Sequence, residues 1–302
     1  MNYLPPFVSD VNESPRRLDQ NTVLDVWLTS GSVGHLFDPN AFSERLFEKY
    51  KDRKFKPVRL LGYNGYIGRN IRAVLDLMGI ATYYAYDLGK TTGAVLIHLA
   101  CPRKSNWGAH PADHSKWVRR ARAHSSSELS PYEDWSDVMY FSSQCIFNEP
   151  ADDVYSIVKQ DLTDDFVAHG AKIFVPGTVF GSFVPDFRTD TVLNKIALRH
   201  ARDMSTFATA ARRSFITIHD VIEAVVRHSA GLDFEDFQSY NIGREVICKL
   251  TTHLGDMENL WETTGRSLAN FYPRMTDHRS AIYRRYLAEF TNHIKEAKWD
   301  EN

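Results

Sequence analysis

Val58-Arg59-Leu60-Leu61-Gly62-Tyr63-Asn64-Gly65-Tyr66-Ile67-Gly68 runs from a short apolar segment into three glycines, and Ile67 to Met78 continue at helical spacing. Strand, tight turn and helix therefore follow one another without a break. Glycines in such a turn let the backbone come close to a ligand, and the helix N-terminus behind them favours an anion. Here a pyrophosphate would sit on Gly62, Gly65, Tyr66, Ile67 and Gly68. Nineteen residues after Gly68 comes Asp87, at the end of the next apolar run, Ala81 to Tyr86. A carboxylate there accepts hydrogen bonds from a ribose and repels a 2′-phosphate, which points to NAD rather than NADP. Arg69 and Lys90 pull the other way, and a glycine turn kept only for helix–strand packing is the plain alternative.

Working outward, short apolar runs alternate with helical patterns. Strands are expected at 58–61, 81–86, 94–99, 138–141 and 172–175, and helices at 67–78, 116–123 and about 154–168. Such alternation predicts an α/β fold of Rossmann type, a mainly parallel sheet with helices on both faces. Upstream, Asp38-Pro39 reads as an N-cap and first helical residue, with Phe42, Leu46, Phe47 and Tyr50 on one face. Past Gly181 the alternation fades. The tail carries Ile282, Tyr286, Phe290 and Ile294 on one side of an amphipathic helix.

Composition narrows the class of partner. The formal net charge is −2, so no global field draws the chain to nucleic acid. Cys101, Cys145 and Cys248 are too scattered for a disulfide framework. The twelve histidines show no metal-ligand spacing, so no metal is expected. No stretch reaches the roughly 20 apolar residues of a membrane span. Residues 1–17 lack the basic-then-apolar order of a signal peptide, and the cytoplasm is the default expectation.

A second chemical signal is Tyr155-Ser156-Ile157-Val158-Lys159, which puts a phenol and an ammonium four residues apart on one helical face. The cation favours the phenolate, so the tyrosine can exchange a proton with a substrate hydroxyl. Ser142-Ser143 follow the strand 138–141 and offer a hydroxyl to the same oxygen. An exposed i,i+4 pair is the ordinary reading of such a match taken alone. Its place after the glycine turn, the acid-ended strand and His98-Leu99-Ala100 is what gives it weight.

In that order the sequence resembles the extended short-chain dehydrogenases/reductases, specifically the NAD-dependent epimerase/dehydratase group acting on nucleotide sugars. The resemblance runs from about Pro57 to Gly243. It rests on the glycine turn, Ile97-His98-Leu99-Ala100, Phe141-Ser142-Ser143, the Tyr155/Lys159 pair and Val175-Pro176-Gly177-Thr178-Val179-Phe180-Gly181. Arg213-Ser214-Phe215-Ile216-Thr217-Ile218-His219-Asp220-Val221 and Tyr240-Asn241-Ile242-Gly243 complete it. The resemblance implies Ser143 as the catalytic hydroxyl residue and Tyr155 as the acid/base. Lys159 would be its partner, also holding the nicotinamide ribose, while Leu99 and Ala100 line the cofactor. Arg213 matches an arginine that contacts the substrate's diphosphate, a task suited to a guanidinium.

Gln144 and Cys145 stand where sugar 4,6-dehydratases carry an Asp-Glu pair, which argues against ordinary dehydration. A cysteine at that place is similar to GDP-sugar 3,5-epimerases, where it moves a proton beside a transient 4-ketone. A small buried cysteine is the alternative. Arg188, in the run 186–194, is a further candidate for phosphate or sugar, and a capped helix start explains the same run equally well. His98 comes only eleven positions after Asp87, and Tyr155 only twelve after Ser143, both shorter than the family's pattern.

The resulting expectation is a Rossmann NAD domain over 57–180, returning at 215–243. A smaller C-terminal substrate lobe would comprise 181–214 and 244–302, with an N-terminal extension over 1–56. The function implied is a nucleotide-sugar epimerase using NAD, as a homodimer. A reductase or atypical dehydratase of the same family, or a cofactor-binding protein without activity, are the alternatives.

Overall fold

A computed structural model describes residues 36–84, 93–100, 137–143, 154–185, 187–189, 191–202, 204, 215–232 and 277–297. Five strands form one parallel sheet: β1 (Val58–Leu61), β2 (Thr82–Tyr83), β3 (Val95–His98), β4 (Val138–Phe141) and β5 (Lys172–Phe174), in the order β2-β1-β3-β4-β5. Every ladder is parallel, with Val58 opposite Val95 and Leu61 opposite His98. The order reverses between β1 and β3, and a doubly wound sheet binds ligands at such a switch point, beyond the carboxyl ends of the strands.

The strand side chains alternate between two cores, as the pleat requires. Val58, Leu60, Val95, Ile97, Met139 and Phe141 belong to the larger cluster on one face. Leu61, Leu96, Val138 and Tyr140 belong to the smaller one on the other. Helix α1 (Pro39–Lys49) begins as expected: Asp38 takes the amide of Asn40 at 2.9 Å, and Pro39 occupies the first turn. Phe42 and Leu46 of α1 are buried in the larger core, beside Leu36 and Phe37. Residues 36–50 of the N-terminal segment are thus part of the packed body.

Helix α2 (Tyr66–Leu77) follows the glycine turn, and α3 (Val154–Ala168) packs its Val158, Leu162 and Phe166 on the smaller core. Further on, β6 (Thr178–Phe180) and β7 (Phe215–Thr217) pair in parallel as a separate two-stranded sheet. Between them lies α4 (Val192–Ala201), and α5 (Ile218–Ser229) starts directly from β7. Thr217 caps α5, taking the Asp220 amide at 3.1 Å and donating its hydroxyl to the Asp220 carboxylate at 2.6 Å. The last helix, α6 (Asp277–Ala297), buries Tyr286, Phe290 and Ile294, the stripe read from the sequence. No helix among the described residues is long and apolar enough to cross a membrane. The helix expected at 116–123 lies outside the described residues.

Candidate active site

The glycine turn closes at the switch point. Gly62 has φ +86°, a left-handed conformation that side chains disfavour, and a Cβ there would stand 2.9 Å from the Ala100 amide nitrogen. The end of β1 therefore lies flush against Leu99 and Ala100, the residues that follow β3. Gly68 is tighter still, because its Cβ would come within 2.3 Å of the Gly62 carbonyl oxygen. Gly65 caps α2 in an extended conformation without any side-chain hydrogen bond. The first-turn N–H groups of α2 are thus not answered by a capping side chain, the condition under which a helix start receives an anion. The glycines are thus required by close packing of the turn on its own backbone, and the uncapped N-terminus of α2 beside it is the feature suited to an anion such as a pyrophosphate.

Beside this turn, Tyr63 and Tyr84 bring their rings to 5.3 Å, and the Arg72 guanidinium lies 4.6 Å over the Tyr84 ring. The Tyr84 hydroxyl donates to the Asp76 carboxylate. Burial, and then that hydrogen bond, push the Tyr84 phenol up to about 12. Ile67 and Leu99 are partly buried against the larger core.

On the other face of the sheet, Tyr155 and Ala100 both pack on the smaller core and keep some exposure. Lys159 is 4% exposed, and its ammonium donates to the Phe141 carbonyl at 2.8 Å and to the Tyr140 hydroxyl at 3.4 Å. It also lies 5.0 Å over the Tyr140 ring. The lysine at the start of α3 is thus seated on the end of β4, from which Ser142 and Ser143 continue. Ser142 is buried and shares a 2.6 Å hydrogen bond with Thr163, whose own hydroxyl donates to the Lys159 carbonyl at 2.6 Å. Ser143 keeps partial exposure beside it. His98 is 1% exposed, with its ring edge-on to Tyr140 at 5.5 Å and to Phe166 at 5.1 Å.

Tyr66 points its hydroxyl away from the turn and into the interior. It donates to the Gly181 carbonyl at 2.5 Å and stands 3.4 Å from the Asn194 amide nitrogen. Burial pushes this phenol well above its ordinary range, while Asn194 and the Arg188 charge pull the other way. Asn194 also donates to the Arg188 carbonyl at 2.9 Å, and the Thr191 hydroxyl reaches the same oxygen at 3.3 Å. The Arg188 carbonyl is therefore linked through Asn194 to Tyr66, the first residue of α2, and the run that contains it leads into α4, which starts after Thr191.

Of the residues singled out by sequence, the turn glycines, Leu99 and Ala100 come together. Lys159 is seated on the end of β4, from which Ser143 follows, and Tyr155 precedes Lys159 by one helical turn on α3. Asp87, Cys145 and Arg213 lie outside the described residues. Sequence reasoning passed over Tyr140, Thr163 and Asn194. Thr163 was legible in principle, since with Lys159 it puts polar groups beside the apolar stripe Val158, Leu162 and Phe166. Asn194 interrupts the buried stripe Leu193, Ile196 and Ala197 of α4 in the same way. Among the described residues no group of three His, Cys, Asp or Glu is placed to hold a metal ion.

No protein-family model matches the chain, and no curated protein does. Among solved structures, the chain is similar to the Bordetella bronchiseptica enzyme WbmH in complex with NAD+, at 18% identity over 58% of this chain and 72% of that one, with a TM-score of 0.45. It is similar to RMD from Pseudomonas aeruginosa complexed with NADPH, at 15% identity over 78% of this chain and 99% of that one, with a TM-score of 0.46. A third is UDP-N-acetylglucosamine 4-epimerase from Bacillus cereus, at 12% identity over 59% and 75% of the two chains, with a TM-score of 0.45. At these values the likeness carries no function across.

Proposed function

We propose that this chain is an NAD-dependent epimerase of nucleotide-diphosphate sugars that works through a transient 4-keto sugar. One juxtaposition supports this reading most. The glycine turn lies at the switch point of the sheet, and β4 of the same sheet, followed by Ser142 and Ser143, ends at Phe141, whose carbonyl holds the Lys159 ammonium. Tyr155, one helical turn before Lys159, faces the same core as Ala100.

In this reading Gly62, Gly65, Tyr66, Ile67 and Gly68 hold the pyrophosphate, Leu99 and Ala100 line the cofactor, and Asp87 takes the adenosine ribose. NAD bound there supplies a hydride acceptor for the sugar C4–H. Tyr155 takes the proton of the C4 hydroxyl as the ketone forms and gives it back when the carbonyl is reduced. Ser143 hydrogen-bonds the same oxygen and steadies it as its charge changes. Lys159, anchored on Phe141, keeps a positive charge beside the phenol. Cys145 carries a proton to or from the carbon next to the ketone, and Arg188 and Arg213 bind the diphosphate. The cofactor domain is 57–180 with its return at 215–243, and the substrate lobe is 181–214 with 244–302.

The test is a panel of UDP-, GDP-, dTDP- and CDP-sugars incubated with protein and NAD in heavy water and followed by NMR. The reading predicts one sugar with an inverted centre, and no conversion by Tyr155→Phe. A protein that binds NAD yet leaves every sugar unchanged contradicts it. Net consumption of added NADH would instead identify a reductase.

A further inference from the structure

The run between β6 and α4 is tied to the glycine-turn helix by more than one buried hydrogen bond. Tyr66, the first residue of α2, donates to the Gly181 carbonyl at 2.5 Å. One turn later Asn70 accepts the Phe183 amide at 2.7 Å and donates to the Ser182 hydroxyl at 3.0 Å. From the far end, Asn194 accepts the Gly181 amide at 2.9 Å and donates to the Arg188 carbonyl at 2.9 Å. Its amide nitrogen also stands 3.4 Å from the Tyr66 hydroxyl. Asn70 and Asn194 are both 0% exposed, and Tyr66 is 8% exposed.

Such a network is costly to leave half made, because each buried polar atom that loses its partner keeps its desolvation penalty. It therefore has few alternative arrangements. Its members join the turn proposed for the pyrophosphate to the backbone of Arg188, proposed for the substrate diphosphate. The Arg188 charge is already felt at the Tyr66 phenol. Tyr66 and Asn194 are thus the residues that connect the α2 N-terminus to the Arg188 backbone.

We propose that Tyr66 and Asn194 are positioning residues that fix the Arg188 backbone relative to the glycine-turn helix, so that the cofactor and the nucleoside diphosphate of the substrate bind with positive coupling. This rests on the function proposed above. Tyr66 contributes to the site through its backbone at the turn and its hydroxyl in this network. Asn194 acts through Arg188, Gly181 and its contact with the Tyr66 hydroxyl.

The experiment is calorimetric titration of UDP and of GDP into the full chain, with and without saturating NAD. The expected result is a Kd for one of the two that falls about fivefold or more when NAD is present, a typical size for coupling between sites. Tyr66→Phe, which removes only the hydroxyl, should bring that ratio to about one. Asn194→Asp is the second variant, should Tyr66→Phe fold poorly. It keeps the acceptor for Gly181 but turns a carboxylate toward the Arg188 carbonyl, and it should also abolish the coupling. A ratio near one in the unaltered protein, or an undiminished ratio in folded Tyr66→Phe or Asn194→Asp, overturns the proposal. If the unaltered protein binds NAD but neither diphosphate, the substrate reading fails and the coupling falls with it. A purely architectural network would lower the melting temperature of both variants without moving the ratio.

Discussion

Gly68 shows most directly how one atom decides the site. A methyl group there would meet the Gly62 oxygen at 2.3 Å and the Tyr63 Cα at 2.6 Å, all of it backbone. Gly68→Ala should cost about 1–3 kcal/mol, the range for forced overpacking, and weaken NAD binding at least tenfold because the turn must open. Urea unfolding and calorimetry check the two effects. Tyr155→Phe should behave in the opposite manner, leaving stability and NAD affinity unchanged while turnover drops about 10²–10⁴-fold, the scale of a lost acid/base. The glycines and the Tyr155/Lys159 pair were legible in the sequence because their spacing is local. The seat of Lys159 was not, since Phe141 and Tyr140 lie 18 and 19 residues before it and only the β4–α3 packing brings them together.

At the scale of elements, α1 is held by a buried carboxylate. Glu223 of α5, 1% exposed, accepts hydrogen bonds from Lys49 and from the Tyr50 hydroxyl, each at 2.6 Å. Burial, and then this carboxylate, push the Tyr50 phenol far above its ordinary value, so it stays protonated and donates. Tyr50→Phe removes one donor from a carboxylate with almost no access to water. It should destabilise the protein by about 1–3 kcal/mol, read as a lower urea midpoint. An unchanged midpoint would show that water replaces the donor. The strands 58–61 and 138–141, and the helix 154–168, were read from sequence at their observed bounds because their apolar patterns are strong. By contrast, α4 was read only as a capped start at 186–194. The cap is irregular, for the Thr191 hydroxyl reaches Arg188 and Thr191 makes no side-chain cap bond.

Across the whole molecule, burial of neutral imidazoles sets the response to acid. His219 receives the Tyr286 hydroxyl at 2.9 Å and donates to the Leu36 carbonyl at 2.7 Å, with Phe37, Phe42 and Phe183 around its ring. Burial holds it down at about 3, and burial holds His228 down at about 4, each partly offset by its backbone hydrogen bond. In the unfolded chain both take up protons near pH 6.5. Protons therefore favour unfolding below that pH, and the stability present above it is lost as the pH falls toward 4 and then 3. From pH 7 to pH 5 each histidine removes up to about 2 kcal/mol. Urea midpoints at the two pH values test this, and equal midpoints would contradict it. The three-layer α/β plan was legible because short apolar runs alternate with helical patterns along the chain, a local signal. That residues 36–50 join the larger core was not, since their partners in α5 and α6 lie far along the chain. The claim on which the functional account depends is that the glycine turn holds NAD. Calorimetric titration of nucleotide-stripped protein with NAD+ measures it most directly. One NAD+ per chain, bound more tightly than NADP+ and lost in Gly68→Ala, is the result predicted here. A folded protein that takes up neither dinucleotide would contradict it.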